Sequence, residues 1–169
     1  VRLFRINKSN DRETVLRNTY LLNELLHKKD IDENLRSQFV GTSLLYIKYL
    51  VKKKGTVLIT KEFVDSMKEF WSLMTPKGIR GAIEGVLSDL LDGSDNKAKK
   101  VELLQKNVLG NQKVRALKTT DWVDILEKIM LDIYRYIDTD SSEGQDFLNM
   151  FFIAFNKYTG KADKNQAFT

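Results

Sequence analysis

The side chains best suited to chemistry are scarce in this chain. Its single histidine, His27, stands beside Lys28 and Lys29, and there is no cysteine. Without Cys there can be no disulfide, thiolate zinc site or cysteine nucleophile, and one His excludes any site that needs two imidazoles. A Ser-His-Asp arrangement would rest on His27 alone, and no serine stands in a nucleophile-elbow setting beside it. Near the end of a helical pattern, His27 is better read as a surface residue that complements the negative end of the helix dipole than as a general base. Asp89 with Asp92 and Asp138 with Asp140 form close carboxylate pairs. Neither follows the calcium-loop pattern, so helix-end and loop solvation accounts for both. Gly78-Ile79-Arg80-Gly81 lacks the Lys-Ser/Thr of a phosphate loop and the Gly-x-Gly-x-x-Gly of a dinucleotide turn. The spacing of Gly78, Gly81 and Gly85 predicts instead a helix face that allows close approach of another helix.

Basic clusters are the next candidates. Lys48 with Lys52-Lys53-Lys54, and Lys97 with Lys99-Lys100, are placed to meet phosphates. Such contacts release counterions and give salt-dependent affinity. The net charge is only +5, from 28 Lys and Arg against 23 Asp and Glu, and the acids are interleaved. A solvated face therefore competes with the phosphate reading. Phe70, Trp71 and Met74 lie on one pattern, where they either line a partner groove or belong to the core.

The elements that must position these residues are helical. The chain has 169 residues, 42% of them hydrophobic, with one Pro and 9 Gly. That suits one domain with a real core and argues against the turn-rich all-β classes. Apolar residues recur at helical spacing from Val15 to Leu26, from Leu35 to Val51, from Phe63 to Met74 and from Ile79 to Leu91. They recur again from Val101 to Leu109, from Val123 to Ile137 and from Phe147 to Tyr158, with a short turn expected over Gln112 to Leu117. Asn10-Asp11-Arg12-Glu13, Asp30-Ile31-Asp32-Glu33 and Ser142-Glu143-Gly144-Gln145 read as capping boxes, Thr75-Pro76 and Thr120 as helix starts, and Gly55 as a helix end. Thr56 to Thr60 is a β-branched connector or an isolated strand. The expected fold is all-α, an irregular bundle of six to eight helices joined by short loops, with the Phe-rich last helix near its centre. Residues 1–9 form an arm, 10–160 the helical domain and 161–169 the start of a linker.

No signal peptide is visible, and no apolar run approaches the ~20 residues of a membrane span. A cytoplasmic protein without membrane contact is expected. Residue 1 is Val, and the end Asn165-Gln166-Ala167-Phe168-Thr169 carries neither a cap nor a charged tail, which suggests part of a longer protein.

That end also carries a resemblance. Gly160-Lys161-Ala162-Asp163-Lys164-Asn165-Gln166-Ala167-Phe168-Thr169 resembles the segment that opens the catalytic domain of adenine-N6 DNA methyltransferases, the modification subunits of type I restriction–modification systems and their fused relatives. In that family a Gly-Gln-Phe-Phe-Thr-Pro-like motif follows a helical domain and forms part of the S-adenosylmethionine pocket. The stretches from Asp32 to Thr42 and from Ser142 to Asn149 are similar to the family's helical domain. The resemblance implies that Gln166, Phe168 and Thr169 are cofactor contacts, with Ala167 in place of the usual aromatic. It implies S-adenosylmethionine as the parent protein's cofactor. The implied partners are DNA and either a specificity subunit or the protein's own catalytic domain, and a homo-oligomer is compatible with it. Lys52, Lys53, Lys54, Lys99 and Lys100 are then the candidates for DNA phosphates. The family's glycine-rich cofactor loop and its Asn/Asp-Pro-Pro-Tyr/Phe motif are absent. This stretch alone is therefore expected to make contacts and not to transfer a methyl group. The alternative is a stand-alone helical protein-interaction module.

Overall fold

A computed structural model describes residues 12–55, 59–89 and 105–137, with the single positions 102, 142 and 146. The chain is an all-α bundle, and no strand occurs among the described residues. Helix α1 spans Arg12–Lys28, α2 Glu33–Lys53, α3 Lys61–Ser72 and α4 Pro76–Asp89. A π-helical turn, Gln105–Leu109, leads to the short α5, Gln112–Arg115. Helix α6, Thr119–Asp132, is followed by a 3₁₀ turn, Tyr134–Tyr136. The residues expected to form the N-terminal arm, the Phe-rich last helix and the linker lie outside the described residues, as do those from Leu90 to Val101.

Helix α6 is the hub of what is described, because α1, α2, α3 and α4 all pack against it. Its Trp122, Val123, Ile125, Leu126, Ile129 and Met130 are buried, so its apolar residues face several neighbours. Helix α3 buries one stripe only, Phe63, Val64, Met67 and Trp71, at the spacing of a one-sided helix. Thr60 starts it by accepting the Phe63 N–H at 3.1 Å, and Thr75 starts α4 in the same way for Gly78 at 3.0 Å.

Four expectations need correction. Asp30 does not cap α2. It has φ of 70° and closes α1, with its N–H donating to the His27 carbonyl and the Ile31 N–H to the Leu26 carbonyl. This pair of bonds is the Schellman ending, whose left-handed residue is ordinarily Gly or Asn. Helix α2 therefore begins three residues later, and Asp32 precedes it without a side-chain cap. The late helix expected up to Leu109 ends in a π turn, closed by the Gly110 N–H on the Gln105 carbonyl at 3.0 Å. A Cβ at Gly110 would lie 2.6 Å from the Lys106 carbonyl oxygen, so the turn needs glycine there. The long helix before residue 137 begins at Thr119 rather than after Thr120, and gives way after Asp132 to the 3₁₀ turn. Finally, Gly81 and Gly85 do not seat a neighbouring helix, since a Cβ at either would meet nothing within 4 Å.

Gly55 behaves as expected of a helix end. Its φ is 69°, and its N–H donates to the Lys52 carbonyl. Gly55→Ala is expected to lower stability by about 1–2 kcal/mol, because an L side chain is disfavoured in the left-handed region. A urea melt would show this as a lower midpoint with an unchanged slope.

The start of α6 is joined electrostatically to the end of α1. Asp121 accepts the Lys118 N–H at 2.9 Å and pairs with Lys29 Nζ at 2.6 Å, while Asp124 is 3.6 Å from the same ammonium. Burial alone would push the Asp121 carboxyl up, but the Lys29 hydrogen bond and the Lys118 N–H outweigh it and hold the group below its ordinary value. The Asp121 hydrogen bond raises Lys29 in turn, against the opposing effect of burial. A depressed carboxylate stabilises fully above its unfolded value and loses that contribution as pH falls through the folded one. A raised lysine loses its contribution as pH rises through its folded value. The pair is therefore constant between about pH 5 and 9 and fades outside that window. Asp121→Asn is expected to cost about 1 kcal/mol at pH 7. Thermal melts of both proteins should converge as the pH drops below about 3.

Candidate functional site

His27 lies exposed in the last turn of α1. Its Nδ1 is 3.4 Å from the Arg36 guanidinium, a contact that holds a helix junction and presents no nucleophile. No group of three His, Cys, Asp or Glu able to hold a metal occurs among the described residues. Asp89 accepts a hydrogen bond from the Tyr49 hydroxyl at 3.4 Å, while Asp92, Asp138 and Asp140 lie outside the described residues. Trp71 does not line a groove. It is fully buried and donates through Nε1 to the Tyr46 hydroxyl at 3.1 Å. Of the expected groove only Phe70, 51% exposed, reaches solvent broadly, joined by Leu73 at 85%.

Lys52, Lys53 and Lys54 project from the exposed end of α2. The Lys53 ammonium lies over the Tyr49 ring, 5.7 Å from its centroid. That contact keeps one cation close to the helix and leaves its positive charge at the tip. The Lys54 and Gly55 N–H groups are spent on the carbonyls of Leu50 and Lys52. Ligand contacts at this tip therefore fall to the side chains. Lys99, Lys100, Gln166, Phe168 and Thr169 lie outside the described residues.

A second gathering of cations escaped the sequence reasoning. Lys77, Arg80 and Arg115 line a cleft of about 320 Å³ between the start of α4 and the π turn with α5. Arg80 donates to the Arg115 carbonyl at 3.3 Å, which draws the two arginines together across 35 residues of sequence. Glu84 is the acid of the lining, and Leu109 and Gly110 belong to its wall. The available signal was the pair Lys77 and Arg80 just after Pro76, with no acid in that first turn. Comparison of the chain with family models, curated proteins and solved structures finds no match.

Proposed function

We propose that this chain is the helical, DNA- or subunit-contacting domain of an S-adenosylmethionine-dependent DNA adenine-N6 methyltransferase of a restriction–modification system. The observation that carries this reading is the segment Asn165-Gln166-Ala167-Phe168-Thr169, which follows the run of helical sequence patterns. In the family it resembles, such a segment joins the helical domain to the catalytic one. The all-α fold and the scarcity of acid–base and metal-binding groups are compatible with a domain that contributes contacts. Adenine flipping and methyl transfer would belong to the catalytic domain. Gln166, Phe168 and Thr169 would supply part of the cofactor pocket. Lys52, Lys53 and Lys54 would meet backbone phosphates, which position an enzyme on the duplex without reading sequence. No helix among the described residues is long and apolar enough to cross a membrane, and a cytoplasmic setting belongs to this reading.

The test uses the whole gene product. Its codons after Thr169 should encode Pro and then a strand with a Gly-x-Gly turn, and the protein should methylate adenine in plasmid DNA. Phe168→Ala should abolish that methylation, and unchanged methylation would overturn the assignment of the tail. A stop codon directly after Thr169 would favour the second reading, a helical protein-interaction module. Exposed Phe70 and Leu73 at the end of α3 are the observation on its side.

A further inference from the structure

We propose that the cleft between α4 and α5 is a phosphate-binding site, with Lys77, Arg80 and Arg115 as its ligating groups. It is separate from the lysines of the α2 tip. It rests on the DNA-contacting reading only for the source of the phosphate, which is either the backbone of a nucleic acid or a free phosphate.

Three observations converge on it. First, none of the three cations forms an ion pair among the described residues. Three cations against Glu84 leave the lining with an excess of positive charge. Second, Lys77 lies in the first turn of α4, where the helix dipole is positive and no acid stands, and Arg80 follows it one turn later. A cation in the first turn is locally unfavourable, and a bound anion offsets the charge of Lys77 and the dipole together. Third, the cleft walls are held open and in place. Gly81 presents no side chain, and a Cβ there would meet nothing within 4 Å. The opposite wall is a π turn, a rare geometry often kept at functional sites. The Arg80 bond to the Arg115 carbonyl pre-positions one guanidinium, so less order is lost on binding. Arginine forks suit phosphate oxygens, and an ammonium adds a point charge beside them.

The decisive variant is Gly81→Glu. It puts a carboxylate into the cleft with room to spare, and Glu is a better helix former than Gly, so folding is preserved. Gly81→Ala is the neutral control. Binding is read with two probes, a fluorescent DNA duplex by anisotropy and inorganic pyrophosphate by calorimetry. Gly81→Glu is expected to weaken whichever probe the cleft holds by about tenfold or more. Gly81→Ala should bind as the parent does. Glu84→Gln should bind more tightly. For the duplex, Arg80→Ala with Arg115→Ala should flatten the dependence of log K on log salt by about 0.9 for each phosphate that is no longer neutralised.

Pyrophosphate binding that is sensitive to Gly81→Glu, without duplex binding, would keep the cleft as a free-phosphate site and count against the DNA-contacting reading. Duplex binding abolished by Lys52→Ala, Lys53→Ala and Lys54→Ala together, but untouched by Gly81→Glu, would leave that reading standing and overturn the cleft as a nucleic-acid site. The cleft would then survive only through pyrophosphate binding sensitive to Gly81→Glu. If the parent binds neither probe, or Gly81→Glu binds both as the parent does, the proposal is overturned. Binding of an acidic peptide in place of both probes would overturn it as well.

Discussion

Replacing Trp71 with Ala is expected to cost about 3–5 kcal/mol of folding free energy. Trp71 is wholly enclosed on α3, the helix that buries only one stripe and so depends most on each member of it. Against a total stability of about 5–15 kcal/mol, that loss should show as a sharply lowered denaturation midpoint. The milder Trp71→Phe separates packing from polarity. It keeps most of the apolar contact but leaves the Tyr46 hydroxyl, itself buried, without the indole N–H that donates to it at 3.1 Å. Burial already raises the Tyr46 pKa, and the Trp71 bond works against that rise. The orphaned hydroxyl is expected to add about 1–3 kcal/mol. Tyr46→Phe in the same chain should recover part of it, because removing both partners is cheaper than removing one.

Trp122 supplies the contrast. It is as deeply buried as Trp71 and stacks on Phe39 with centroids 5.4 Å apart. Among the described residues, however, its indole N–H has no hydrogen-bond partner. Trp122→Phe removes that unsatisfied donor and keeps an aromatic ring beside Phe39. It should therefore cost less than Trp71→Phe by about 1 kcal/mol or more. Equal costs would mean that packing alone decides both sites.

The helices were legible because their signal is redundant. The stripe Phe63, Met67 and Trp71 repeats often enough that no single residue decides it. Thr60 and Thr75 carry side chains suited to the cap bonds they make. What failed was local and rested on one backbone angle or one long-range bond. Asp30 has the composition of an N-cap, yet it takes the left-handed position that ends α1. Spacing cannot separate these roles, because an acidic residue between two helices satisfies both patterns. Ile133 continues the apolar repeat, but α6 stops before it, and the Asn18 side chain of α1 donates to the Asp132 carbonyl at 2.9 Å. Such an ending depends on a partner 114 residues away.

The sites divide in the same way. The α2 lysines are contiguous in sequence, so their common exposure on one tip could be foreseen. The cleft could not, because Arg80 and Arg115 meet only through the fold. The glycines around Arg80 depart from expectation for a related reason. Small residues at helical spacing suit either a packed neighbour or an open wall, and only the tertiary arrangement shows that Gly81 faces open space.

Arg36 is the other residue whose loss should be severe, and nothing in its local sequence marks it. It is 5% exposed on α2, although arginine is seldom buried without a charged partner. Its Nε donates to the Ile31 carbonyl at 2.8 Å and one Nη to Asn23 Oδ1 at 2.9 Å. The other Nη faces His27 Nδ1 at 3.4 Å. Burial lowers the guanidinium pKa, with Glu33 and Asp32 acting in the opposite sense. The group remains charged, since arginine is effectively always protonated. One side chain thus ties α2 to the Schellman turn and to the flank of α1. Arg36→Ala is expected to cost about 2–4 kcal/mol, because the Ile31 carbonyl and Asn23 lose a charged donor in a place where water is largely excluded. Arg36→Lys should recover little of it, since one ammonium cannot span the fork that reaches both the Ile31 carbonyl and Asn23 Oδ1. Added salt should leave the difference nearly unchanged, as buried interactions are weakly screened. Hydrogen exchange gives a local check. The Asp30 and Ile31 amides should exchange faster in Arg36→Ala, while the Ile129 amide in α6 should follow only the global loss of stability. A cost below about 0.5 kcal/mol, the range of ordinary surface changes, would mean that the Schellman bonds hold the junction without the guanidinium.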